Sequence, residues 1–141
     1  MSRRSRARQV AFQVLYQDDL NPRSDSEDGD ELIERRLHME ELTEFSRSLV
    51  SGVRNHRPEL DELIEKLAEN WSLKRMAATD RNILRLGAYE MLHTDTPRRV
   101  AIDEAVELAK RFGSAQSAQF VNGILDRLMH MEEGGEVESR K

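Results

Sequence analysis

Apolar residues recur at intervals of three and four almost from end to end of this chain, and that spacing restricts it to helices. In "RRSRARQVAFQVLYQ", residues 3–17, Ala7, Val10, Ala11, Val14 and Leu15 follow the i, i+3, i+4, i+7, i+8 rule of a single helical stripe. Leu42, Phe45, Leu49, Val50 and Val53 repeat the pattern in "EELTEFSRSLVSGV", where Gly52 lets the helix end or pack closely. Leu60, Leu63, Ile64 and Leu67 repeat it in "RPELDELIEKLAENW", with Trp71 expected as a core anchor near the end. "TDRNILRLGAYEMLH" is apolar nearly all round, which predicts a central buried helix capped by Thr79 or Asp80. Beyond Pro97, Ile102, Ala105, Val106, Ala109 and Phe112 face inward up to Gly113, the expected left-handed stop. "QFVNGILDRLM" then restarts the stripe with Phe120, Val121, Ile124, Leu125 and Leu128. No segment alternates with the period of two that a half-buried strand requires. The expected class is therefore all-α, with about six or seven short helices packed as bundles.

The punctuation fits this reading. Pro22, Pro58 and Pro97 are the only prolines, and each is predicted to mark a helix boundary. "NPRSDSEDGDE", residues 21–31, is predicted to be a solvated loop, and the tail over 132–141 to be disordered. A chain of 141 residues suffices for one domain with a core.

Several functions are disfavoured. No window is long and apolar enough to span a bilayer, and the basic start lacks the apolar run of a secretory signal. Without cysteine there is no disulfide framework, thiolate or Cys-type zinc site, which fits a cytoplasmic protein. His38, His56, His93 and His130 are far apart and match no recognised zinc spacing, so neither a metal site nor a cofactor is expected. There is no phosphate-binding glycine loop or nucleophile elbow. Glu62, Glu65 and Glu69 read as the wet face of a helix. Enzymatic activity is not expected.

Charge distribution is more informative than its sum. Residues 1–9 carry Arg3, Arg4, Arg6 and Arg8 and no acid, so a local +4 stands against a net −5 and the remaining chain carries −9. Such an arm is either a frayed, solubilising terminus or a docking point for one anionic partner. The acidic remainder disfavours indiscriminate binding of polyanions.

Three stretches carry a resemblance. "RRSRARQVAFQVLYQ", "TDRNILRLGAYEML" and "VAIDEAVELAKRFGSAQSAQFVNGILDRL" closely resemble the NusB family of bacterial transcription antitermination factors, with "FVNGILD" after "ELAKRFG" the most specific signature. The likeness runs along nearly the whole chain and is weakest near residues 22–36. It implies two packed helical bundles, here about 3–70 and 71–131. It also implies binding to the single-stranded boxA element of ribosomal RNA leader transcripts. Ribosomal protein NusE and the transcription elongation complex with other Nus factors are the implied partners.

The resemblance also implies roles for residues. The four arginines and Phe120 would contact RNA, with Ser114, Gln116, Ser117 and Gln119 offering hydrogen bonds beside them. Gln116 falls where relatives often carry an acid. On periodicity alone Phe120 fills the core stripe with Ile124, so two readings of it stand. Asn122 and Gly123 read as structural, an amide bonded to backbone and a close helix contact. Tyr16, Leu20 and Asp80 match family positions that touch the ribosomal protein, although Tyr16 also reads as a half-buried core tyrosine. Two alternatives are a structural homodimer that buries the arm and an accessory helical domain of the kind fused to ribosomal RNA cytosine methyltransferases.

Overall fold

A computed structural model describes residues 2–22, 26–69 and 71–139, which fold as six α-helices and one 3₁₀ turn, with no strand among them. The helices are α1 (Arg3–Leu20), α2 (Ser26–Arg36), α3 (Glu40–Ala68), α4 (Ala78–His93), α5 (Arg98–Phe112) and α6 (Ser117–Ser139), with the 3₁₀ turn at Leu73–Arg75. Residues 23–25 of the acidic loop, Asn70 at the expected bundle boundary, and 140–141 of the tail lie outside the described residues.

α1 starts where the Oγ of Ser2 accepts from the Ser5 amide at 3.1 Å, satisfying one of the free amides of the first turn. Its predicted stripe is buried, and Phe12 joins it. α1, α2 and α3 pack on one another, as do α4, α5 and α6, while α4 also packs against α1 and α3. The central position expected of α4 holds: Ile83, Leu84, Leu86, Ala88 and Met91 are all buried. It begins at Ala78, with Ala77 as a cap that makes no side-chain bond, two or three residues ahead of the expected caps Thr79 or Asp80.

Three further boundaries depart from the sequence reading. Pro58 lies inside the 29-residue α3 instead of ending a helix. An interior proline removes a hydrogen bond and costs about 3 kcal/mol. Here one buried stripe, Leu49, Val53, Leu60, Ile64, runs through it, and burial at about 1.5–3 kcal/mol per large side chain offsets the loss. α2 claims residues 26–31 from the predicted loop, because Leu32, Ile33 and Leu37 anchor it on the core. Glu27 and Asp28 at its start and Arg35 and Arg36 at its end suit the helix dipole. α6 continues to Ser139 through the tail expected to be disordered from 132, since each added residue costs little once a helix is nucleated. Gly113 does stop α5, but in extended backbone with φ −95°, not in the left-handed region.

Gly52 belongs to close packing, not to a helix end. A Cβ at this position would collide with the ring of Tyr89, so α4 lies on α3 only because the side chain is missing.

Ion pairs lock the helices in register. Asp19 of α1 receives Arg81 Nε at 2.6 Å and Asn82 Nδ2 at 2.8 Å, with Arg85 at 3.6 Å. Burial disfavours its charge, but the hydrogen bonds from Arg81 and Asn82 and the charges of Arg81 and Arg85 together hold its pKa below the ordinary carboxylate value. This contribution to stability is present above the unfolded carboxylate range, near pH 4, and is lost as the pH falls through the lower folded value.

Candidate functional site

The arginines divide. Arg3, Arg4 and Arg6 are exposed at the N-terminus of α1, whose first turn holds no acid to cancel them or the positive end of the helix dipole. The Arg4 guanidinium lies over the Phe45 ring at 4.6 Å, and Arg6 Nη2 is 3.5 Å from the Arg36 carbonyl. The arm is thus an ordered helix end, not a frayed strand.

Arg8, grouped with them in the sequence reading, faces the other way and is 5% exposed. Its Nε donates to both carboxylate oxygens of Glu90 at 2.9 Å, its Nη2 to Oε2 at 2.6 Å, and its Nη1 lies 3.4 Å from Glu104. Ser5 also donates to Glu104, and Thr96 to Glu90. A charge withdrawn from water needs this degree of pairing, which joins α1, α4 and α5 and leaves Arg8 no surface to offer a ligand.

A second region forms where α3 ends and α6 begins. An open groove of about 490 Å³ is lined by Trp71, Gln116, Gln119, Phe120, Gly123 and Arg127, among others. A smaller depression of about 180 Å³ shares Trp71, Gln116 and Phe120 with it and adds Met76, Asp80 and Ser117. Phe120 packs partly on the core, which satisfies the periodicity, yet it also lines both cavities. The Trp71 ring stands edge-on to it at 6.2 Å and 72°.

Trp71 is 51% exposed, so it is not the core anchor expected. It follows the last helical position of α3, where the periodic rule no longer tells which way a side chain faces. Gly123 also departs from expectation. A Cβ there would meet nothing within 4 Å, so it makes no close helix contact and instead opens the groove floor.

The residues assigned to a protein partner separate likewise. Tyr16, half-buried against Phe12 at 6.0 Å, and Leu20, 58% exposed, line a groove of about 440 Å³ between α1 and α2 together with Leu32, Glu31 and Arg35. Asp80 lines the depression at Phe120 instead. One of its oxygens, Oδ1, is buried and makes no hydrogen bond to another described residue. Among the described residues, one group carries metal-ligand types within reach of one another: His56, Glu59 and His93, at the opposite end of α4 from Asp80.

Residues 5–130 match the model of the NusB family. A transcription antitermination protein NusB from Anaeromyxobacter dehalogenans is 45% identical over 132 residues, covering 90% of each chain. Among solved structures, NusB of T. maritima superposes with a TM-score of 0.79 at 39% identity, covering 90% of this chain and 89% of that one. A crystal structure of antitermination factors NusB and NusE in complex with double-stranded RNA superposes with a TM-score of 0.81 at 31% identity, covering 90% and 96%. Among the described residues no helix is long and apolar enough to cross a membrane. With its six-helix fold and a match over most of its length, this chain belongs to the NusB family of transcription antitermination proteins.

Proposed function

We propose that the chain is a non-catalytic, cytoplasmic RNA-binding adaptor. In this reading it binds the single-stranded boxA element of ribosomal RNA leader transcripts together with ribosomal protein NusE. With other Nus factors on the elongation complex, it supports processive ribosomal RNA synthesis. The observation that carries the reading is the end of α1, where Arg3, Arg4 and Arg6 are exposed at the positive pole of a helix with no acid in its first turn. Guanidinium forks and free helix amides both suit phosphate oxygens.

The Trp71–Phe120 groove supports base recognition, because unpaired bases stack on aromatic faces and paired bases present no free face. α5 runs between the two regions: Glu104, eight residues before its end, accepts from Ser5 of the arm, and its end at Phe112 precedes the groove, a rise of about 12 Å, with Lys110 and Arg111 in the last turn. A strand of about four nucleotides at a stacked spacing of about 3.4 Å covers that rise. Gln116 and Gln119 lie exposed along the groove and carry no charge to repel phosphate. For NusE, Tyr16 and Leu20 offer apolar contact beside acidic Asp28 and Glu31, and Asp80 adds an acid at the Phe120 depression. A relative crystallised with NusE and double-stranded RNA supports the coarser part of this reading, an assembly with NusE and RNA.

The test is RNA binding by fluorescence anisotropy, titrated in salt, with and without NusE. It compares single-stranded boxA, a scrambled strand and a duplex. Preference for single-stranded boxA and tightening by NusE are expected. Replacing Arg3, Arg4 and Arg6 by Gln should reduce the slope of log affinity against log salt by roughly 2, the value for three phosphates on a single strand. Equal weak binding to all three RNAs, indifferent to the arm, would reject the boxA reading.

A further inference from the structure

His56 and Glu59 lie three residues apart on one face of α3, and His93 is the last residue of α4. One ligand atom from each lies within 4.8 Å of the other two. The Nδ1 of His56 is 2.9 Å from the Gly52 carbonyl, which can only accept, so in the neutral imidazole Nδ1 is the donor and Nε2 keeps its lone pair. A carbonyl partner of this kind is what orients and sharpens an imidazole as a metal ligand. The Nε2 of His93 is 3.3 Å from Glu59 Oε1. That separation matches the ligand-to-ligand edge of about 3.3 Å in a tetrahedral site with bonds of about 2.0–2.1 Å.

The packing brings the two rings together. With no side chain on Gly52, Tyr89 lies on α3, stacked on His93 at 5.5 Å and 28° and beside His56 at 5.7 Å. The two imidazole centroids are 4.1 Å apart with their planes tilted by 32°, closer than the roughly 5 Å at which two rings share a tetrahedral ion, so the exposed His93 ring swings outward to bind. Glu59 and His93 are solvent-exposed and His56 is half-buried, so an ion has a way in and a fourth position stays open to water. The negative end of the α4 dipole also favours a cation there.

We propose that His56, Glu59 and His93 form a binding site for a divalent transition-metal ion, Zn²⁺ foremost, that staples α3 to α4. Two imidazoles and one carboxylate suit Zn²⁺, Co²⁺ or Ni²⁺ over the hard cations Mg²⁺ and Ca²⁺, which take all-oxygen shells. The site is independent of RNA binding, and its test needs no RNA.

The full chain, stripped with a chelator, is titrated with Zn²⁺ by calorimetry and with Co²⁺ by visible absorption. One ion per chain is expected, with intense tetrahedral Co²⁺ bands and a rise in Tm on Zn²⁺ addition. Glu59→Gln and His93→Gln should each weaken binding at least about tenfold and remove the rise in Tm. His130→Gln, on the exposed face of α6, should change neither. All three are surface substitutions whose folding is checked by circular dichroism. Binding that survives Glu59→Gln and His93→Gln unchanged, falls equally with His130→Gln, or does not saturate at one ion per chain overturns the proposal.

Discussion

The two regions proposed to meet RNA treat their functional groups in opposite ways. At the arm end, Arg8 turns inward and its guanidinium is fully engaged by Glu90 and Glu104, while only its neighbours Arg3, Arg4 and Arg6 face solvent. At the groove end, Trp71 stands half in solvent, and Gly123 leaves room that no described residue fills. Folding alone accounts for the first arrangement, since a buried charge must be paired. It does not require the second, where Trp71 stands half in solvent beside the open floor at Gly123.

The largest effect that could break this contrast concerns Arg8. Arg8→Met leaves the Glu90 carboxylate buried without its main partner and should cost about 3–5 kcal/mol in urea unfolding. Adding Glu90→Leu should recover most of that loss, because an apolar pair of similar volume needs no solvation. The double variant should bind RNA like the original chain. If it loses affinity as the exposed arginines do when replaced, Arg8 reaches RNA and the inward–outward division is wrong.

Trp71 comes next. Trp71→Ala should lower RNA affinity by about 1–3 kcal/mol, the worth of one stacked base, with little change in stability because the ring is half in solvent. An unfolding midpoint that falls while affinity holds would return Trp71 to the packing role expected from periodicity. The smallest effect sharpens the groove itself. Gly123→Ala should raise stability by about 0.5–1 kcal/mol, as expected in a helix interior with open space beside it. It should also weaken RNA binding slightly by narrowing the floor. Unchanged affinity would mean that no ligand approaches α6 at that point.

Much of the fold was legible because its cause is local. The stripes of α1 and α4 follow from the 3.6-residue period, and both are buried as the spacing requires. Pro58 and the start of α2 depart from local rules for one shared reason. Local rules hold that proline ends a helix and that an acidic, glycine-containing segment is a loop. Burial of Leu60 and Ile64 on one side, and of Leu32 and Ile33 on the other, overrode both. In the candidate site the three exposed arginines and Phe120 were legible from charge and from likeness to the family. The aromatic partner Trp71 was not, since beyond the last turn of α3 no periodicity tells which way a side chain points.

By itself, then, the sequence determined the all-helical class, the faces that must be buried and the concentration of positive charge at one terminus, because these depend on spacing and composition within a single helix. Only the tertiary structure decided which charges remain available. Arg8 meets Glu90 across 82 residues, and His56 meets His93 because Gly52 lets α4 settle onto α3. Such pairings depend on how closely whole helices approach. That distance is set by packing around the shared core, and no stretch of chain encodes it alone.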